Sequence, residues 1–372
     1  MFIKRFKTIG GLSYLNRYTN MLAGVPAYIP TTNSTAIVLN LAASPYMAVW
    51  NWFNGTTTGF NGKYANPATP PPYIVQGSSW SRGKGYLAIA FAFSPRLIVY
   101  PFNDAVGFGT KYSDPTTIAG GYGNAVHLDV DSGVISLNHE TSPYISVYPF
   151  STVGGFGVKY ANPSSLPSFG GGGIKYFGNT IAASQGDHTP FINAYSFTTT
   201  SGFGTKYADP SNLPTYSGYG LDASPSGQTI ISGGISGVLA YPWSETSGFG
   251  TKYAQPAGNP YSFSGKFSSS GNSIMTVSYY SSSGAHLHVY PFSTSTGFGT
   301  KYANPATSTI ESTSSPNSVT STYGDTAIAY ATTASPWVYA YAFSESSGFG
   351  AKYSDPPVIY TGSGSYGGIN FN

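Results

Sequence analysis

Side chains able to do chemistry are few in this sequence. Its five histidines (His127, His139, His188, His286 and His288) stand in a chain without cysteine. None has the His-x-x-x-His or His-Glu-x-x-His spacing that puts two imidazoles on one metal. His286 and His288 lie two apart, which on a strand turns both to one face, but a metal would need a third ligand from elsewhere. Asp129-Val-Asp-Ser-Gly133 resembles half of a calcium loop and lacks the distal glutamate that completes one. Asp129, Glu140, Asp187 and Asp222 are the acids available for glycoside hydrolysis, which needs two carboxylates flanking one bond. Their spacing selects no pair. No nucleophile elbow, phosphate loop or dinucleotide fingerprint occurs. The sequence therefore predicts no enzyme, no metal and no cofactor.

The elements that hold these residues are set by a repeat. Gly-Phe-Gly-Thr-Lys-Tyr-Ala-Asp-Pro, with small variations, occurs seven times, and its phenylalanines are Phe60, Phe108, Phe156, Phe203, Phe249, Phe298 and Phe349. Successive copies lie 48, 48, 47, 46, 49 and 51 residues apart. A period of that size, carried by strands and turns, marks a propeller or solenoid. Each unit has an apolar run such as Tyr86–Phe91, a polar turn often ending in Ser-Pro, and an alternating strand ending in Tyr-Pro-Phe or a variant. A glycine bend at Gly-Phe-Gly follows, and Lys-Tyr-Ala-Asp-Pro is expected to be a short outer strand stopped by proline. A further strand precedes each apolar run, as in Ala125–Asp129, Gly173–Phe177 and Lys266–Ser268. Four strands per unit, repeated radially, make a β-propeller.

Seven units, strands ending in Val-Tyr-Pro-Phe, and turns such as Ala223-Ser-Pro-Ser-Gly227 resemble the WD-repeat and related seven-bladed propellers. The Tyr-Pro-Phe/Trp…Gly-Phe-Gly-Thr-Lys-Tyr-Ala-Asn-Pro unit is more narrowly similar to propellers encoded by tailed bacteriophages. That resemblance implies a virion component. The Trp-Asp dipeptide and Gly-His pair of true WD repeats are absent.

The expected architecture is an all-β, seven-bladed propeller over residues 34–372 preceded by an arm over 1–33. Tyr366–Asn372 matches the innermost strand of other units, while the first unit is clear only from Ala36–Leu41. The C-terminal strand is thus expected to complete the first blade. The arm carries Phe2, Ile3, Lys4, Arg5, Phe6 and Lys7 and lacks the apolar core of a secretory signal. It reads as an anchor for docking on other virion proteins.

Charge excludes other partners. Charged residues make up 8% of the chain, and the net charge is +3. Apart from Lys4, Arg5, Lys7 and Arg17, 12 basic residues face 13 acidic ones. Such a body offers no footprint for nucleic acid, and no apolar run is long enough to span a membrane.

The repeated lysines (Lys63, Lys111, Lys159, Lys206, Lys252, Lys301, Lys352) read as guards of exposed strand edges. The repeated tyrosines read as packing between blades. In an antiparallel meander, turns from second to third strand share one face with the links between blades. Those loops vary, and variation on one rigid face suits recognition. Contacts to a host-surface glycan are expected there from His139, Glu140, Asp187, His188 and Tyr280. The function so read is a non-enzymatic virion protein; a free sugar-binding lectin or a glycan-degrading enzyme remains as an alternative. Virion localisation follows from the first reading, with secretion as the other option.

Overall fold

The computed structural model describes residues 36–54, 59–81, 83–214, 219–235, 237–258, 261–278, 286–305, 316–333, 335–357 and 365–372. The N-terminal arm lies outside them, as does Tyr280.

Within the described residues the chain forms seven four-stranded antiparallel sheets arranged as the blades of a propeller. The inner strands are Ser365–Phe371 in blade 1, then Val75–Trp80, Gly123–Asp129, Ile174–Phe177, Gly220–Ala223, Ser262–Phe267 and Pro316–Ser321 in blades 2 to 7. Blade 1 unites the chain ends as expected, with Ile37 opposite Phe371, Val38 opposite Asn370 and Leu39 opposite Ile369. Both faces of a blade are covered by its neighbours, so the second strands need apolar or small residues along their whole length. Ala36–Leu41, Val134–His139 and Thr229–Gly234 are buried at every position.

The outer strand differs from the sequence expectation. It is the Gly-Phe pair itself: Phe108 opposes Phe102 and Gly107 opposes Asn103. Proline explains why it stops there. In blades 2, 3, 5 and 6 the third strand carries Pro101, Pro149, Pro242 and Pro291, whose missing N–H removes the next donor of the ladder. In blades 1, 4 and 7 that position is Asn51, Ser196 and Ala342, and the outer strand runs on through Phe60–Lys63, Gly202–Lys206 and Gly348–Lys352.

The repeated tyrosines tie each blade to the next. Tyr64, Tyr112, Tyr160, Tyr207, Tyr253 and Tyr302 meet Phe102, Phe150, Phe197, Trp243, Phe292 and Phe343 of the following blade edge to face, at 4.8 to 5.3 Å between centroids. Tyr353 closes the circle on Trp52 at 4.9 Å. The hydroxyls of the first six donate to carbonyls in the next blade's outer turn, for example Tyr207 to Glu245 at 2.7 Å and Tyr302 to Glu345 at 2.6 Å. The first glycine of each motif sits beneath that ring. Gly155 has φ 74°, and a Cβ there would lie 3.0 Å from Tyr112 Cδ1. The motif is therefore an interlock between neighbours, as the packing reading held.

The lysines do something other than guard an edge. Lys63, Lys111, Lys159, Lys206, Lys301 and Lys352 bond within their own turns: Lys63 Nζ donates to Asn66 Oδ1 at 2.7 Å, and Lys206 and Lys352 pair with Asp209 and Asp355 at 2.6 and 2.7 Å. The acid or amide three residues on is their partner as well as a turn former.

Candidate functional site

The chemistry-bearing residues of the inner strands fall at one register. Asn370 opposes Val38, Ser79 opposes Ala88, His127 opposes Ser136, and Lys175 opposes Ala182. Asp222 opposes Ile231, Lys266 opposes Met275, and Thr320 opposes Ala329. These pairs are equivalent around the ring, so all seven blades place a polar side chain at one level of the axis. All seven line a cavity of about 560 Å³ that opens among the turns between first and second strands.

Two residues further along each inner strand, away from that mouth, stand Gly368, Gly77, Ala125, Gly173, Gly220, Ser264 and Ser318. Here the strands crowd together. A Cβ on Gly77 would approach Asn124 O to 2.9 Å, and one on Gly173 would meet Leu221 N at 2.6 Å. The channel narrows there to about 110 Å³. It is a funnel with a wide polar chamber and a neck of small residues.

Most of the polar ring holds the blades together. Ser79 Oγ accepts the Leu128 N–H (3.1 Å), and His127 Nδ1 that of Tyr176 (3.2 Å). Asp222 Oδ2 accepts the Phe267 N–H (3.1 Å), and Thr320 Oγ1 that of Phe371 (3.4 Å). Asn370 Nδ2 donates to Ser78 O at 2.9 Å. Lysine has no acceptor, so Lys175 and Lys266 cannot serve in this way. They flank Asp222 from the blades on either side, and Lys175 Nζ lies 3.1 Å from Asp222 Oδ1. Burial alone would raise the Asp222 pKa. Attraction to Lys175 and Lys266, helped by the Phe267 N–H, overrides it and holds the carboxyl below the usual carboxylate range. At this level two ammonium groups face one carboxylate, which leaves the ring net positive.

His127 has a defined role. Because Nδ1 accepts an amide N–H, the neutral ring carries its proton on Nε2 and is a donor there. Asp222, with both oxygens engaged and its affinity for protons lowered, is a weak base. The ring can thus bind an anion or stabilise a developing oxyanion, and it supplies no strong general base.

Other acids near the mouth are spent on structure. Asp129 takes the N–H and Oγ of Ser132, each at 3.0 Å, an ordinary turn rather than a calcium loop. Asp131 pairs with Lys84 at 3.0 Å. Glu245 accepts the Asn179 N–H at 2.6 Å, pinning blade 5 to blade 4. Among the described residues no group of three or more potential ligands could hold a metal.

Of the glycan contacts read from sequence, the four that lie among the described residues, His139, Glu140, Asp187 and His188, stand away from this chamber, at the turns between second and third strands. His139 is fully buried, with Nε2 3.0 Å from Ser146 Oγ, and burial lowers its pKa to about 4. It is a core histidine and no surface contact. Glu140, Asp187 and His188 are exposed. His188 stacks on Phe169 at 4.7 Å. The four acids considered for glycoside hydrolysis do not assemble: Asp129 and Asp222 line the chamber, while Glu140 and Asp187 lie on the opposite face. His286 and His288 do share a face, but both are buried on Ser278, through its carbonyl at 3.0 Å and its Oγ at 3.1 Å. The lysine pair was missed because each lies in a separate, poorly repeated strand. A polar residue one or two positions before the last residue of each inner strand was the available signal.

No protein-family model matches the chain, and no curated protein matches it either. Solved structures do. A functionally unknown protein from Desulfotomaculum acetoxidans aligns with TM-score 0.63 and 10% identity over 91% of this chain and 99% of its own. A protein from Bacteroides uniformis provisionally named a 6-phosphogluconolactonase aligns with TM-score 0.61 and 13% identity, over 92% and 100%. The periplasmic gluconolactonase of Pseudomonas aeruginosa aligns with TM-score 0.60 and 14% identity, over 90% and 98%. At such identity the likeness establishes the fold alone. It nevertheless corrects the sequence reading of a non-enzymatic phage virion protein. Two of these whole-ring neighbours carry the names of lactone hydrolases, and none of the three carries the name of a virion or WD-repeat protein.

Proposed function

We propose that this protein is a hydrolase that opens a small lactone, of the aldonolactone class, in its central chamber. The observation that carries the proposal is the Lys175–Asp222–Lys266 group. At a ring level otherwise devoted to hydrogen bonds between neighbouring blades, two lysines supply positive charge. The names of the structural neighbours favour lactone chemistry over other uses of such a site.

In this reading the lactone carbonyl oxygen faces the lysines and the Nε2–H of His127. Hydroxide adds to the carbonyl carbon, and the ammonium groups stabilise the oxyanion as it forms. Collapse breaks the ring C–O bond. The departing alkoxide takes a proton from a lysine or from water, and the product is a hydroxy-carboxylate. Asp222 holds Lys175 in place across the boundary between two blades. With no strong base in the ring, the rate rises with hydroxide concentration.

The test compares hydrolysis of glucono-δ-lactone by wild type, Lys175→Met and Lys266→Met. Loss of one oxyanion donor costs on the order of 10²–10³ in kcat. Variants that melt like wild type yet lose at least tenfold would support the proposal. Unchanged rates in both would overturn it.

A further inference from the structure

We infer that Tyr323 sets the specificity of the chamber by stacking on the ring of a cyclic polyol lactone, and that Asp325 is its positioning residue. This rests on the lactonase reading of the same cavity. Six aromatic residues line that cavity. Trp80, Tyr176, Phe267 and Phe371 are buried between blades, at no more than 6% exposure. Phe177 packs edge-on against Trp243 at 6.1 Å. Tyr323 is 47% exposed, on the turn between first and second strands of blade 7 at the mouth.

An exposed aromatic on a loose turn would have little meaning, but this turn is fastened. Asp325, 6% exposed, accepts the N–H of Ser269 (2.8 Å), the Oγ of Ser269 (2.8 Å), the N–H of Ser270 (2.9 Å) and the Oγ of Ser321 (2.8 Å). Gly324 N–H donates to Ser269 Oγ at 3.0 Å. Gly324 and Asp325 both lie in the left-handed region, at φ 88° and 53°. An aspartate at positive φ is held there by surrounding bonds. The turn of blade 7 is thereby bolted to that of blade 6, beside the strand carrying Lys266. A six-membered polyol ring has an apolar C–H face that suits an aromatic side chain, and hydroxyls at its edge that suit the serine-rich rim. With its carbonyl at the lysines, such a ring lies between the charged level and the mouth, where Tyr323 stands.

The experiment measures KM and kcat for glucono-δ-lactone in wild type, Tyr323→Ala, Tyr323→Phe and Asp325→Ala, with thermal melts of each. Losing one aromatic contact should raise KM about 3–10-fold in Tyr323→Ala with kcat nearly unchanged. Tyr323→Phe should restore wild-type KM, because the ring and not the hydroxyl is used. Asp325→Ala should raise KM in the same direction. If Tyr323→Ala leaves KM within about twofold while the lysine variants lose activity, this inference fails and the lactonase reading stands. If wild type shows no turnover above the spontaneous rate, the lactonase reading fails and takes this inference with it.

Discussion

Truncation after Gly368 removes Ile369, Asn370, Phe371 and Asn372, the end of the strand that joins the two chain termini in blade 1. Ile369 is fully buried, Phe371 is 2% exposed, and Phe371 meets Trp52 edge to face at 4.9 Å. Deleting such side chains costs roughly 2–5 and 3–5 kcal/mol. Hydrogen bonds go with them, at about 1 kcal/mol each, among them Ala36 N–H to Asn372 Oδ1 (3.0 Å), Trp80 Nε1 to Asn370 O (3.1 Å) and Asn370 Nδ2 to Ser78 O (2.9 Å). The loss is on the order of 10 kcal/mol, comparable with the whole stability of an ordinary domain. The truncated chain should therefore fail to fold or melt far below the full chain in circular dichroism. Phe371→Ala is the variant expected to fold, at a cost of roughly 3–5 kcal/mol. Val153→Ser, at a side chain 94% exposed, should change nothing. A truncated chain that melts with the full-length protein would refute the closure argument.

Three further outcomes follow from the same geometry. Gly155→Ala places a Cβ against Tyr112 at a positive φ and should lower stability by roughly 1–3 kcal/mol, read from denaturant midpoints. His139 is held neutral in the fold, its pKa lowered from 6.5 to about 4 by burial. Its contribution is therefore complete above about pH 6.5 and is lost as pH falls towards 4. The loss is roughly 3 kcal/mol across that window, and His139→Gln should flatten it in pH-dependent melts. Asp222→Asn keeps an acceptor for the Phe267 N–H while removing the counter-charge of two lysines. Calorimetry should then show gluconate binding more tightly than to wild type, with a steeper weakening by salt.

The ring was legible in the sequence because seven copies of one interlock had to recur wherever one blade meets the next. Its closure was legible because an unmatched strand at each end could only pair with the other. The outer strand was misplaced by about one turn of sequence, since Lys-Tyr-Ala looks extended while the effect of Pro101 or Pro149 is felt on the neighbouring strand. The site was hidden for a different reason. Lys175, Asp222 and Lys266 meet only once the packing of successive blades around the axis brings residues about 45 apart to one level, and no local spacing carries that information. His139 reads as a surface group because it borders a variable loop, whereas it ends a strand buried at every position.

The most direct test of the central claim is acid release from glucono-δ-lactone near neutral pH, followed for wild type and Lys175→Met/Lys266→Met beside the uncatalysed reaction. The account predicts wild-type turnover well above the spontaneous rate and a double variant that folds but does not exceed it. Wild type and double variant both at the spontaneous rate, or both equally above it, would contradict the claim that these lysines are a lactone-opening site.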